Sequence, residues 1–201
     1  FSSPTRKTLH ALLCAVALAA GLTGPAAAQT KPKVQELGIE KLNSALFIGN
    51  SFFDYNNSLH GHLAQLLASA TPKRSLRSVS ATISASGLGW HDVESYFRPN
   101  AVSSYSFTPD NRIVMNKFDR LFDVAIMMDC SQCPVHPTFA PQFHEFAKKH
   151  SDTVRKHGGK PVLFMSWAYA DKPEMTSALA EAYTQAGNAN DALVIPAGLA
   201  F

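Results

Sequence analysis

Five short apolar runs, at 45–48, 79–83, 123–128, 161–166 and 192–195, are separated by amphipathic stretches. Leu59, Leu63, Leu66 and Leu67 fall on one face of a helix that follows the cap-type residues Asn56, Asn57 and Ser58. Further helices are expected at 90–97, stopped by Pro99, at 141–157, ended by Gly158-Gly159, and at 174–186. Strands that alternate with helices pair in parallel through right-handed crossovers. The fold class is therefore α/β, with a five-stranded, mostly parallel sheet. Residues 98–117 hold Pro99, Asn100, Pro109 and Asp110-Asn111 and read as an irregular connection that shapes a surface.

Ligands of such sheets gather beyond the carboxyl ends of the strands. Four polar stretches fall there: "GNS" at 49–51, "SASGLGW" at 84–90, "MDCSQC" at 128–133 and "SWAYAD" at 166–171. Ser51 leaves the first strand through Gly49 and precedes a helix. It is a nucleophile candidate, and its N–H is a candidate donor to an oxyanion. The alternative is a plain turn in which Asn50 and Ser51 bond the local backbone. Gly87 and Gly89 allow close backbone approach at the second strand end. Trp90, Trp167 and Tyr169 are either core aromatics or a surface on which a sugar stacks. His91, beside Asp92, is a polar cap residue, a cleft residue or a substitute base. His60 and His62 stand two apart and share no helix face. His136, His144, His150 and His157 read as loop or solvated-helix residues.

The first 28 residues read as a secretory signal peptide: Arg6 and Lys7, an apolar stretch at 9–22, then Pro25 and three alanines, with cleavage near Ala28. The apolar stretch falls short of the roughly 20 residues a membrane span needs. No stable membrane anchor is expected, because Leu13 precedes Cys14 where a lipid-attachment site needs a small residue. Residues 29–43 form a polar leader, and 44–201 make one domain. Without the leader the chain holds 16 basic and 15 acidic residues, scattered, with no stripe for nucleic acid. The expected location is secreted or periplasmic. Cys130 and Cys133 are then a disulfide candidate or a pair of idle thiols, with redox catalysis the remaining reading. The segment offers too few ligands for zinc. No metal and no cofactor is expected.

The blocks "LFIGNSFFDYNN", "ISASGLGWHD" and "FDVAIMMDCSQCP" resemble the first three sequence blocks of the SGNH (GDSL-like) hydrolases, in a variety whose first block reads Gly-Asn-Ser. The resemblance covers most of 44–201. It implies a three-layer α/β/α fold of flavodoxin-like strand order. It also implies Ser51 as nucleophile and the N–H groups of Ser51 and Gly87 as oxyanion donors, with Asn50, Trp90 and His91 along the substrate cleft. Two departures stand out. The family's third block supplies an Asn side chain to the oxyanion, whereas here an ionised Asp129 would repel it, so Gln132 or Ser131 has to substitute. The family's catalytic base lies in a late Asp-x-x-His, and no Asp in this chain has a His three residues on. The chain is accordingly expected to be a C-terminally truncated piece of an exported serine hydrolase. The full protein would act on acyl esters, with carbohydrate O-acetyl groups among the candidates, and the piece would be nearly inactive alone. The rival is a non-catalytic exported α/β ligand-binding protein.

Overall fold

The computed structural model describes residues 29–102 and 105–201; the expected leader peptide at 1–28 lies outside them. Five strands form one all-parallel sheet: β1 (Ser44–Gly49), β2 (Arg77–Thr82), β5 (Val124–Met127), β6 (Lys160–Phe164) and β7 (Leu193–Ile195). Their order is β2-β1-β5-β6-β7, the flavodoxin-like arrangement. The fold class expected from the apolar runs is the one observed.

The pleat sends alternate residues of each strand to opposite layers. Leu46 and Ile48 join Ala125, Met127, Leu163 and Met165 on one side. Helices α3 (Val93–Tyr96), α4 (Ala140–Lys156) and α5 (Met175–Ala189) cover that side through Val93, Phe143, Ala147, Val154, Leu179 and Tyr183. Ala45 and Phe47 face the other side with Val124, Ile126, Met128 and Val162. There α1 (Ser51–Asp54) contributes Phe53 and α2 (Leu59–Ser69) contributes Leu59 and Leu63. The segment 29–43 has neither helix nor strand, yet it is docked on the domain. Leu37, Ile39 and Leu42 pack on this second face, and Thr30 N–H donates to Glu181 at 3.0 Å. Each fully buried Leu, Ile or Phe contributes about 1.5–3 kcal/mol, so the two layers hold the sheet firmly.

Two expectations change. The helix expected at 90–97 is a 3-10 turn (Leu88–Trp90) followed by α3, because His91 turns into the protein and Asp92 caps α3 by accepting from Ser95 N–H. The connection at 98–117 holds an antiparallel ribbon, β3 (Tyr105–Phe107) with β4 (Ile113–Met115). Its turn carries Pro109 and Asp110, with Asn111 at φ 60°. Among the described residues no helix is long and apolar enough to cross a membrane.

Candidate active site

The carboxyl ends of β1, β2 and β5 meet at one junction, and Asn50 holds it together. Asn50 is buried in extended backbone (φ −133°) just after β1 and caps α1, its Oδ1 accepting from Phe52 N–H at 3.2 Å. Its Nδ2 donates to Ser86 O at 3.0 Å and to Asp129 O at 3.1 Å. One side chain thus ties the strand end that carries Ser51 to the loops after β2 and β5. Phe53 pins α1 from below, edge-on to Phe47 and to Phe164 at 5.6 and 5.2 Å between ring centroids. A side chain at Gly49 would stand 3.0 Å from that Phe53 ring, so this exit from the strand takes glycine.

Ser51 opens α1 and is half-buried. Among the described residues neither its hydroxyl nor its N–H has a hydrogen-bond partner. Gly87 N–H is in the same condition, one residue beyond the Ser86 carbonyl that Asn50 holds. A Cβ at Gly87 would meet Asp129 Oδ1 at 2.7 Å, which explains why glycine stands there.

The loop that carries Gly87 is fixed by buried polar side chains from three directions. Asp129 Oδ1 accepts from Leu88 N–H at 2.9 Å and from Cys130 N–H at 2.8 Å. His150, reaching over from α4, places Nε2 2.9 Å from Leu88 O. His91 Nε2 lies 3.0 Å from Gly49 O and 3.2 Å from Ser86 Oγ, and its Nδ1 lies 3.0 Å from Tyr96 Oη. A neutral ring that donates from Nε2 and accepts the Tyr96 hydroxyl satisfies these contacts. Burial first, the Gly49 carbonyl in opposition, and the neighbouring His150 in support bring the His91 pKa down to about 4. Burial likewise lowers the His150 pKa. Burial raises the Asp129 carboxyl, against the two N–H bonds that favour its charged form.

These placements correct part of the sequence reading. Asn50 and His91 are both buried, their polar atoms tying the strand ends together, although His91 also borders a cavity with Gly89, Asp92 and His150. His91 is also no substitute base, since its nitrogens are occupied within the fold. Asp129 is 3% exposed and turned toward Leu88 and Cys130. Gln132 is exposed and its side chain joins no hydrogen bond of this junction, while Ser131 Oγ meets Tyr169 Oη at 2.6 Å. His150 is buried instead of solvated. Its spacing from Phe143, Ala147 and Val154 places it on the apolar stripe of α4, a signal present in the sequence. Tyr183, whose hydroxyl accepts from Asp129 N–H at 3.3 Å, lies on the corresponding stripe of α5.

Trp90 does stand at the surface, 68% exposed, on a cavity of about 310 Å³ lined by Gly87, Asp129, Phe139, Phe146 and the two cysteines. Cys130 and Cys133 are joined in a disulfide. A carboxylate oxygen of Asp129 and the two sulfurs lie within 4.8 Å of one another, but sulfurs bonded to each other offer no thiolate to a metal. Beside α1, Phe52 stacks on Trp167 at 4.6 Å, and Trp167 meets Phe201 at 4.8 Å.

No protein-family model matches the chain, and no curated protein matches it in sequence. Solved structures do resemble it. Over 81% of this chain and 79% of the other, it is similar to AlinE4, an SGNH-hydrolase family esterase, with a TM-score of 0.55 and 14% identity. It is also similar to a protein assigned as lipolytic, of the G-D-S-L family, from Desulfitobacterium hafniense DCB-2, with a TM-score of 0.51 and 13% identity. That match covers 76% of this chain and 75% of the other. The fold is that of the SGNH hydrolases. At these identities the likeness concerns the backbone arrangement, and the chemistry rests on the residues of this chain.

Proposed function

We propose that this chain carries the nucleophile and two oxyanion donors of an exported SGNH-type serine hydrolase acting on acyl esters. One observation supports the reading most. At a junction where Asn50, Ser86, His91, Asp129 and His150 are all bonded internally, the Ser51 hydroxyl, the Ser51 N–H and the Gly87 N–H have no partner among the described residues. Donors fixed before the reaction stabilise developing charge without reorganising, which is where most rate enhancement in acyl transfer arises. Ser51 Oγ attacks the ester carbonyl, and the oxygen that gains charge is received by the two N–H groups. The hydroxyl needs a base, and no histidine among the described residues bonds to it. In this reading the proton is taken by a histidine that the described residues do not supply, oriented by an aspartate, and is returned to the leaving alcohol. The exposed Trp90 and the Phe52–Trp167 stack offer apolar faces suited to a sugar ring or an acyl chain, so a carbohydrate O-acetyl group is the substrate class to try first.

Hydrolysis of p-nitrophenyl acetate and of acetylated xylo-oligosaccharides by the full-length protein tests this. Ser51→Ala is expected to lower kcat/KM by about 10⁴-fold or more while leaving the melting temperature unchanged. Turnover unaffected by Ser51→Ala would remove Ser51 from the chemistry, and binding without any turnover would leave the ligand-binding protein as the reading.

A further inference from the structure

The CSQC segment is not absorbed by an ester hydrolase. Its disulfide closes two intervening residues, so it constrains the unfolded chain little and stability alone explains it poorly. Both cysteines are partly exposed and line the 310 Å³ cavity together with the exposed Trp90 and Phe139. Cys133 N–H points at Cys130 Sγ, 3.0 Å away, at the start of the 3-10 turn Cys133–Val135. A backbone N–H aimed at sulfur favours the thiolate over the thiol. The carboxyl of Asp129 lies within 4.8 Å of both sulfurs, and the two N–H bonds it accepts both fall on Oδ1, leaving Oδ2 without a partner among the described residues.

We propose that Cys130–Cys133 is a reversible thiol–disulfide exchange site for a dithiol partner, with Cys130 as the thiolate-stabilised sulfur and Asp129 as its proton carrier. This does not depend on Ser51 acting as a nucleophile. In the reducing direction, a thiolate of the partner attacks Cys133 Sγ and forms a mixed disulfide. The bond between the two protein sulfurs breaks, and its electron pair leaves on Cys130, facing Cys133 N–H. The partner's second thiol then attacks the mixed disulfide, releases Cys133 and departs as a disulfide. Two electrons and two protons pass from the dithiol to the two cysteines, one proton by way of Asp129. A partner disulfide runs the same steps backward. Burial raises the Asp129 pKa, so its carboxyl takes up a proton more readily than an exposed one. The other titrating group at this spot is Tyr183, whose hydroxyl meets Asp129 N–H and which burial keeps neutral far above physiological pH. Gln142, Phe146 and Trp90, on the remaining walls, carry no charge.

Native full-length protein equilibrated with reduced and oxidised dithiothreitol, then trapped with a maleimide and weighed by mass spectrometry, tests the exchange. The disulfide is expected to open completely and reclose with the near-ultraviolet circular dichroism of the fold retained. Opening that requires denaturant would overturn the proposal. Single-cysteine variants assign the roles: in Cys133→Ser, Cys130 is expected to react with iodoacetamide at pH 7 about tenfold faster than Cys133 does in Cys130→Ser. Equal rates at the pH midpoint of an ordinary thiol would contradict it. Asp129→Asn is expected to shift the pH midpoint of dithiothreitol reduction, and an unmoved midpoint would take Asp129 out of the proton path.

Discussion

The two ends of the same sheet each bury an aspartate, and they use it in opposite ways. At the amino end, Asp123 (6% exposed) accepts from Asn43 N–H at 2.7 Å, Ser44 N–H at 3.0 Å and the Arg120 guanidinium at 2.6 Å. Burial pushes its carboxyl up, but those bonds together outweigh burial and hold it below the usual carboxylate range. At the carboxyl end, Asp129 receives two N–H bonds and no cation, and burial wins. The amino end answers its aspartate with a cation and two N–H groups, although Arg77 Nη1 is buried there with no partner among the described residues. The carboxyl end is bonded closely around Asn50, His91 and His150, yet among the described residues it leaves the Ser51 and Gly87 groups unmatched. That difference marks where the fold holds polar groups ready for something outside itself.

The contrast can be broken most forcefully at Gly87. In Gly87→Ala the new Cβ would sit 2.7 Å from Asp129 Oδ1, so either the carboxyl or the loop must shift and the Gly87 N–H moves with it. Ester turnover by the full-length protein should fall on the order of 10²-fold, the loss typical of one oxyanion donor. Turnover within about twofold of wild type would show that this N–H faces no oxyanion.

Exchanging the two aspartates for asparagine sharpens the comparison on the stability side. Asp123→Asn removes the charge that Arg120 and two N–H groups answer to and should cost about 2 kcal/mol in urea unfolding at pH 7. Asp129→Asn keeps an acceptor for Leu88 and Cys130 and removes a carboxyl whose charged form burial disfavours, so it should be neutral or stabilising. Equal losses in the two variants would mean that the ends do not differ as described.

Acid should weaken the carboxyl end first. The His91 pKa in the fold is lowered from 6.5 to about 4, and that of His150 is lowered too, so the unfolded chain takes up protons first as pH falls. Stability is therefore expected to be intact above pH 6.5 and to decline from there toward pH 4. Asp129, with its raised pKa, offsets part of the loss near the bottom of that range, and Asp123 adds its own loss only below the ordinary carboxylate pKa. Urea midpoints at pH 7.5, 5.5 and 4.5 check this, and His91→Gln should flatten the slope. The smallest effect belongs to the β3–β4 ribbon. Phe107 is 64% exposed there, and Phe107→Ser should change stability by no more than about 0.5 kcal/mol.

The fold was readable because buried parallel strands appear as continuous apolar runs and the helices as periodic stripes, both visible without knowledge of contacts. The placing of Ser51 just after β1 and of Gly87 after β2 was readable because a glycine in a polar stretch marks where a strand ends. The directions of Asn50, His91 and Asp129 were not readable. A polar residue at a strand end looks the same in one dimension whether it faces a ligand or the carbonyl of a neighbouring strand. The ribbon escaped notice because strands of three residues are too short to establish alternation, although the Pro109–Asn111 turn between Tyr105-Ser106-Phe107 and Ile113-Val114-Met115 was a usable cue.

The most direct test of the central claim is peptide mapping of the full-length protein after treatment with a fluorophosphonate. A single phosphonyl group on Ser51, absent from Ser51→Ala and sharply reduced in Gly87→Ala, is the result expected. Phosphonylation at another residue, or an unmodified Ser51 in protein that still turns over ester, would contradict the account.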